Sequence, residues 1–454
     1  MSRLASSMGI VLTCCVVTFH NCRTYVPGHR IFYDEDVYAN MSKNLDGGFG
    51  GGVTVLWLPD AKRVERCKWP VGFPAAALPW IRMFGAERGP SLLNGLCGIL
   101  TSALIGFLVF RWTGDRPAAI MAILLFALNP IAAMWYRSGA ADPSAVLLAL
   151  ASLAAADLSK GRPGWVVTAL LLALVAVNFR LDNVLLVLPL SLWLGPRPLT
   201  LPKSHLAVLL ALAVVPIAAL ASQSSVFYLH YLSSRSDSSF SFSSILPNIV
   251  TDFHFFLESG VLPFTSAGFI ALVWLTWLEA RWLGLLAWLV AQTALLSVYS
   301  VGQFSAPGGS RFFLIPSIVL TLSLAVALAR IQPRYRLWAQ AIGFLALCLL
   351  FLGHEKAWQR WDDLNSAPRA EHDAILHWAK TLSPGSVVMS ETPYLWENAG
   401  VFTAPHTPEI PARTTGPLYW HRSLFDQKEP LPPEAAVVGN LRTQHGDVFL
   451  IRIR

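Results

Sequence analysis

The sequence predicts a polytopic α-helical membrane protein with about eleven transmembrane helices and a small extracytoplasmic α/β domain at its C-terminal end. Composition is the first reason, because 54% of the 454 residues are hydrophobic and 13% are charged, whereas soluble domains carry about 25% charged residues. The second reason is that many apolar runs approach the roughly 20 residues that a helix needs to cross a bilayer. The third is an uneven distribution of Lys and Arg between successive loops.

The first apolar run covers residues 4–20 and is predicted to be an uncleaved first span, because no small-x-small cleavage site follows it. Two short runs, 164–178 and 182–195, are separated by the polar letters "NFRLDN" and could together form one broken span. The remaining predicted spans lie at about 91–111, 117–135, 141–157, 205–222, 263–279, 281–300, 311–329 and 336–353.

Loop charge orients these spans. With a cytoplasmic N-terminus, every inner loop carries Lys or Arg, as the positive-inside rule requires, and the short outer loops carry few. An odd number of spans then places residues 354–454 outside, together with the loops 21–90 and 223–262. The predicted location is a multi-pass protein of the plasma membrane, which in a bacterium is the inner membrane. The inner basic residues are Arg111, Arg116, Lys160, Arg162, Arg197, Lys203, Arg281, Arg330, Arg334 and Arg336.

The net charge of +7 has the same explanation. Basic inner loops and attraction to anionic lipid account for it, so membrane lipids are predicted partners and nucleic acid is not. Among the six cysteines, Cys22 and Cys67 both fall in the first outer loop and could pair in an oxidising compartment. No CxxC or HExxH spacing is present, so the sequence does not indicate a standard metal site.

Two outer segments have apolar residues at helical spacing. Residues 37–45 and 245–257 are therefore predicted to be helices that lie flat on the membrane surface, and the alternative is a loop helix packed against protein. The chain is predicted to divide into a transmembrane module, 1–353, and a small α/β domain, 354–454. In that domain "DAILHWAKTL" favours a helix, "GSVVMS" favours a strand, and "AAVVGNL" and "DVFLIRIR" favour a hairpin around "QHGD". Its role is open between accessory structure and acceptor binding.

Three carboxylates in "YDEDVY", residues 33–38, follow the first span. Asp34 or Glu35 could act as a general base or ligate a divalent cation, and a solvated acidic loop is the ordinary alternative. Other charges stand at the edges of later spans, where a charge is tolerated because its side chain can reach the interface. They are Lys68 before a Trp-Pro-x-Gly-Phe-Pro run, Arg137 and Asp142 between two spans, and Arg311 at the mouth of a late span.

Taken in order, these motifs resemble those of the GT-C glycosyltransferases, and most closely the type of the protein O-mannosyltransferases and lipid A aminoarabinose transferases (glycosyltransferase family 39). The motifs are Asp-Glu-x-x-Tyr at 34–38, Lys-Trp-Pro-x-Gly-Phe-Pro at 68–74, Arg137 with Asp142, and Ser-Arg-Phe-x-x-x-Pro at 310–316. Arg180 also matches an arginine that this group often has near its sixth span. Val71 departs from the pattern, because the family usually has a second Pro there. The short C-terminal tail leaves the acceptor unassigned.

The resemblance implies transfer of a sugar from a polyprenyl-phosphate donor to a lipid, protein or glycan acceptor on the extracytoplasmic face. Asp34 would be the base, with Glu35 as its helper or as a cation ligand. Lys68 and Arg311 would bind the donor phosphate, for which a bidentate guanidinium and an ammonium are suited. Asp142, together with Arg137 and Tyr38, would orient the acceptor or help to hold a cation. The resemblance makes no cofactor certain.

Two other functional classes remain open. A transporter or flippase of lipid-linked saccharides is expected to carry polar residues in mid-span, often in broken helices. A polysaccharide polymerase or ligase would use similar donors with a different arrangement of spans. The almost purely apolar spans, with charges gathered at one mouth, favour chemistry at the membrane surface.

Overall fold

The computed structural model describes residues 34–65, 69–159, 162–194, 241–258, 261–299, 302–304, 309–331, 333–406, 410, 414, 416–424, 436–443 and 446–453. The predicted spans at 4–20 and 205–222, the predicted phosphate ligand Lys68 and both cysteines of the proposed pair lie outside these residues.

Helices form most of the described chain, and they follow the predicted apolar runs closely. Short 3₁₀ turns at Phe242–Ser244, Leu181–Leu186, Gly309–Phe313 and Pro333–Tyr335 lead into four of them. The helices are α1 Asp34–Asp46, α2 Gly72–Phe84, α3 Gly89–Thr113, α4 Arg116–Ala127, α5 Pro130–Trp135, α6 Asp142–Leu158, α7 Pro163–Phe179, α8 Val187–Leu194, α9 Ile245–Glu258, α10 Leu262–Leu278, α11 Arg281–Ser297, α12 Leu314–Arg330, α13 Arg336–Thr381 and α14 Pro393–Asn398.

Capping residues decide where the helices around the site begin and end. Gly114, with φ 68°, ends α3 in the left-handed conformation, and the Asp115 side chain caps α4 by accepting from the Ala118 amide at 3.2 Å. The run 117–135, predicted as one span, is two helices, because Asn129 caps a new helix through the Ile131 amide at 3.0 Å and Pro130 follows it.

The length and composition of these helices support a helical membrane architecture but do not establish eleven spans. Among the described residues, α3 and the segment Gly309–Arg330 are each long and apolar enough to cross a bilayer. A third candidate is the pair Phe242–Glu258 and Leu262–Leu278, which bends by 112° and would be a broken span or a re-entrant loop. The other apolar helices are shorter than a typical span.

Helix α12 lies at the centre of the helical bundle. Its side chains from Leu314 to Ala327 are buried on every face, which is why its sequence is apolar all round instead of amphipathic. The core around it draws residues from α3 to α8 and from α9 to α13. Helix α12 therefore fixes the position of the 3₁₀ turn that precedes it, and that turn carries Arg311.

A mixed seven-stranded sheet packs on one end of the bundle, in the order β2-β1-β4-β3-β5-β7-β6. Strand β3 is parallel to β4 and β5, and the other neighbours are antiparallel. The predicted hairpin near the C-terminus is confirmed as β6 and β7. The strands are β1 Val53–Trp57, β2 Lys62–Glu65, β3 Val387–Ser390, β4 Phe402–Ala404, β5 Leu418–Arg422, β6 Ala436–Thr443 and β7 Gly446–Arg452.

The sheet is built from both sides of the predicted division at 353/354. Strand β1, from the loop after α1, pairs with β4 at Trp57 and Thr403. Helix α13 runs without a break through the division, so the last predicted span and the helix of "DAILHWAKTL" are one element. We use "sheet domain" for β1 to β7, α14 and the part of α13 after residue 366.

The two helices predicted to lie flat on the membrane differ in their surroundings. For 37–45 the prediction is wrong, because Val37, Tyr38 and Met41 are buried in a core shared with α2 and the sheet domain. In α9, by contrast, one apolar face is exposed, as a lipid surface would require, and for this helix the interfacial location stays a prediction. The exposed residues are Leu246, Ile249, Val250, Phe253 and Leu257.

Candidate active site

The first turn of α1 carries three consecutive acids, and all three are buried. Asp34 is 7% exposed and Glu35 and Asp36 are each 2% exposed. Negative charge is favourable at a helix N-terminus, but buried carboxylates still need hydrogen-bonding or charged partners. Because neighbouring residues of a helix point in different directions, each acid meets a different part of the molecule.

Asp34 pairs with Arg311. The Asp34 Oδ2 atom lies 2.7 Å from Arg311 Nη1, although the two residues are 277 positions apart in the chain. The adjacent Ser310 Oγ accepts a hydrogen bond of 3.0 Å from Trp135 Nε1, which ties the arginine-bearing turn to α5. The structure thus brings together the predicted base and a predicted phosphate ligand.

Glu35 faces the turn between α5 and α6. Its Oε2 atom accepts a hydrogen bond of 3.0 Å from the Gly139 amide. Asn94 shapes this turn, since its Nδ2 donates to the Ser138 carbonyl at 2.8 Å and to the Ala140 carbonyl at 2.7 Å. A Cβ atom at Gly139 would lie 3.3 Å from the same Glu35 oxygen, so glycine permits this close approach. The predicted residue Arg137 is buried in the same turn.

Asp142 opens α6 and joins two arginines. Its Oδ1 atom is hydrogen-bonded to Arg180 Nη1 and lies 3.8 Å from Arg311 Nε. Arg180 also makes a two-pronged contact with Asp182, at 2.8 and 3.1 Å, and Gln292 donates to Asp182 at 2.8 Å. Asp34, Arg311, Asp142, Arg180 and Asp182 therefore form one chain of alternating charges, which we call the charge chain.

The predicted site contained only part of the charge chain. The sequence prediction does not include Asp182 or Gln292, and it includes Arg180 only through its resemblance to a family arginine. The signal lay in "NFRLDN", because charged residues between two apolar runs need partners when they are buried. The phenyl ring of Phe312 lies under both guanidinium groups, 5.1 Å from Arg311 and 5.2 Å from Arg180.

Tyr38 stands one helical turn after Asp34, on the same face of α1. Its ring meets Phe73 edge-on at 5.3 Å, and Phe73 in turn meets Phe179 at 6.3 Å. These contacts tie α1 to α2 and to the end of α7. Phe73 belongs to the Trp-Pro-x-Gly-Phe-Pro run, so the aromatic part of that motif packs directly behind the acidic turn.

The arrangement does not suit a metal ion held by Glu35 and Asp142. Glu35 is engaged by a backbone amide, and guanidinium groups already supply positive charge beside Asp142. Within the described part of the chain, no group of three or more His, Cys, Asp or Glu side chains could hold a metal ion. We therefore derive no catalytic step through a metal.

Comparison of the sequence alone finds no matching family profile and no matching curated protein. Comparison of the structure finds matches over nearly the full length. ArnT from Cupriavidus metallidurans in the apo state superposes with a TM-score of 0.63 at 16% identity, covering 99% of this chain and 98% of ArnT. The same protein bound to undecaprenyl phosphate gives a TM-score of 0.61 at 16% identity, covering 98% of this chain and 97% of ArnT.

The chain has the GT-C fold. The apo oligosaccharyltransferase from Archaeoglobus fulgidus is a more distant example of the GT-C fold, with a TM-score of 0.51 at 12% identity over 91% of this chain and 69% of that one. At identities this low, the structural matches establish the fold alone. The chemistry therefore has to be argued from the site itself.

Proposed function

We propose that this chain is an integral-membrane glycosyltransferase that moves a sugar from a polyprenyl-phosphate donor to an acceptor on the extracytoplasmic face. The observation that carries the proposal is the partly buried pair of Asp34 and Arg311, continued through Asp142 to Arg180, in a chain with the GT-C fold. The undecaprenyl phosphate bound to a protein of the same fold supports this donor class.

In the proposed reaction, the acceptor hydroxyl oxygen attacks the anomeric carbon of the sugar and forms the new glycosidic bond. Its proton passes to the Asp34 carboxylate, which acts as general base. The bond from the anomeric carbon to the phosphate oxygen breaks, and its electron pair leaves with the polyprenyl phosphate. A phosphate acceptor would need no proton transfer, so the base is required for a hydroxyl.

Arg311 is suited to couple the two halves of this reaction. Protonation removes the negative charge of Asp34 while negative charge grows on the leaving phosphate, so the attraction of the guanidinium shifts from the first to the second. A charge placed where the transition state develops charge is a large source of catalysis. Lys68 is proposed to contact the same phosphate. Asp142 and Arg180 would keep Arg311 in place, and Tyr38 and Arg137 would border the acceptor.

A transporter or flippase of lipid-linked saccharides is the second candidate. It is favoured by one observation, the partly buried ions Arg180 and Asp182 beside the 3₁₀ break before α8, because transporters place charges at interrupted helices. A transporter would move the donor without breaking it. A polymerase or ligase would break it, and would then require a saccharide as acceptor.

The proposal is tested with purified protein and a panel of radiolabelled polyprenyl-phosphate sugars, by following the release of polyprenyl phosphate. We expect one donor to be consumed over time, and more rapidly when a suitable acceptor lipid, peptide or glycan is added. Loss of label from one leaflet of a vesicle without any release of polyprenyl phosphate would instead indicate transport. Absence of release across the whole panel, in protein that binds donor, would contradict the proposal.

A further inference from the structure

Helix α1 is held from two sides. Asp34, Glu35 and Tyr38 face the helical bundle, where they meet Arg311, the Gly139 amide and Phe73. The next stripe of the same helix faces the sheet domain. Asp36, Asn40 and Lys43 are four and three positions apart, which places them on one line along a helix.

Glu397 of α14 receives contacts both from that second stripe and from strand β2. Asn40 Nδ2 donates to Glu397 Oε2 at 2.7 Å, and Lys62 from β2 pairs with Glu397 Oε1 at 2.6 Å. Lys43 Nζ donates to the Glu397 carbonyl at 3.3 Å and to the Asn398 carbonyl at 3.1 Å. Glu397 is only 6% exposed, so solvent screens these contacts little.

Other contacts fix the orientation of this interface. The Asn40 Oδ1 atom accepts from the Thr54 amide at 2.8 Å, so the Asn40 side chain cannot turn over without losing that bond as well. Asn398 Nδ2 donates to the Asp36 carbonyl at 3.0 Å. Burial lowers the pKa of Lys43 below its ordinary value, and the Glu397 charge opposes that effect.

Helix α13 adds a second connection between the sheet and α1. His372 Nδ1 lies 3.4 Å from Asp36 Oδ2. The neighbouring Glu371 lies 3.3 Å from His421 Nε2, and His421 Nδ1 is 3.0 Å from Ser390 Oγ. Glu371, His421 and Ser390 are fully buried, so this line of polar contacts joins the centre of the sheet rigidly to α13 and through it to α1.

We propose that Glu397 is a positioning residue, through which the sheet domain holds α1 so that Asp34 stays aligned with Arg311. The catalytic consequence rests on the proposed function, whereas the hold on α1 does not. A bridge from Lys62 to Asn40 needs two acceptor oxygens on one side chain, which is what the Glu397 carboxylate provides. The sheet domain then has a part in the reaction without contacting the substrate.

The test is a double-mutant cycle between Glu397→Gln and Asp34→Asn in the full-length protein, because such a cycle separates coupled from independent effects. Glutamine keeps the shape and one acceptor but presents an amide NH₂ to Asn40 or Lys62. We expect Glu397→Gln to lower kcat up to about 100-fold, the cost of a displacement of about 1 Å in an active site, with donor KM nearly unchanged. In the Asp34→Asn background, Glu397→Gln should have almost no further effect.

Asp447→Asn is the matched control, because Asp447 also pairs with a cation in the sheet domain, at 3.5 Å from Arg442, but it is about one-third exposed and its partner is exposed. It should leave kcat unchanged. Equal losses from Glu397→Gln in both backgrounds would mean a general loss of folded protein and would overturn the proposal.

Hydrogen exchange of the peptide 34–46 gives a second readout that needs no substrate. We expect its amides to exchange faster in Glu397→Gln than in Asp447→Asn, because local opening becomes easier when an anchoring contact is lost. Unchanged exchange would contradict the hold on α1. If the unmodified protein released no polyprenyl phosphate, the proposed function would fail, while the exchange result would still decide whether Glu397 holds α1.

Discussion

At the residue scale, the main feature of the site is that charged side chains share ion-pair partners. Arg311 lies between two carboxylates, 2.7 Å from Asp34 and 3.8 Å from Asp142, and its guanidinium group lies over the Phe312 ring. A planar group with several donors can bridge two carboxylates and still approach a phosphate, and a lysine ammonium cannot reproduce that geometry.

Arg311→Lys should therefore restore only part of the turnover that Arg311→Ala loses. The point charge can keep an attraction to Asp34 or to the phosphate, but it cannot make a bidentate contact. The measurement is the initial rate of polyprenyl phosphate release against donor concentration. Arg82→Lys is the control, since Arg82 is an exposed arginine that pairs with Asp46, on the helix α1 that also carries Asp34. An Arg311→Lys protein as active as the unmodified one would reduce Arg311 to a membrane-edge anchor.

At the element scale, α3 and α6 each connect the site to a second polar cluster at their other ends. Helix α6 runs from Asp142 to Leu158, about 25 Å at 1.5 Å per residue. There Asp157 pairs with Arg111 at 2.5 Å and with Arg281 at 3.5 Å, and it accepts from Trp193 at 3.3 Å. Three indole rings, those of Trp112, Trp193 and Trp282, surround the Arg281 guanidinium.

Asp157→Asn should lower stability more than it alters the chemistry. It removes the charge that two partly exposed arginines share at a position only 4% exposed. Because solvent can still reach those arginines, we expect a cost below the roughly 3–5 kcal/mol of breaking a fully buried pair. We expect a lower thermal unfolding midpoint in detergent, with donor KM unchanged at low temperature because the cluster is far from Asp34. The exposed pair of Arg63 and Glu65 supplies the control Glu65→Gln, which should shift the midpoint little. An equal midpoint for Asp157→Asn and Glu65→Gln would show that the cluster is not a stabilising element.

How far the sequence predicts these elements depends on what each signal measures. Apolar run length predicts helices well, and α3, α6 and α7 begin within about three residues of the predicted positions. Charges at the ends of the runs indicate Asp34, Asp142 and Arg311 as site residues. The ion pair between Asp34 and Arg311 cannot be predicted in this way, because contact between residues 277 positions apart depends on how the helices pack. The burial of α1 also depends on packing. The apolar face of a helix fits lipid and protein equally well, so the sequence does not distinguish a membrane surface from a protein core.

At the scale of the whole molecule, the two polar clusters lie at opposite ends of the bundle. The sheet domain shares the end that carries Asp34, so the site and the sheet should lie on one side of the membrane. We predict that a reporter active only outside the cytoplasm will be active when fused after residue 454. The same reporter should be silent after Arg116, Lys160 and Arg334, because the basic loops are predicted to be cytoplasmic. Reporter activity at those three positions would show that the protein has the opposite orientation in the membrane.

The central claim is that Asp34 is the general base of a sugar transfer from a polyprenyl-phosphate donor. The most direct measurement is the turnover of Asp34→Asn at saturating donor, beside Asp46→Asn as an exposed change on the same helix. Asparagine keeps the size of the side chain but cannot accept the proton, so turnover should fall by about 10²- to 10⁴-fold, while Asp46→Asn stays near the unmodified rate. A well-folded Asp34→Asn protein with nearly full turnover would contradict the account.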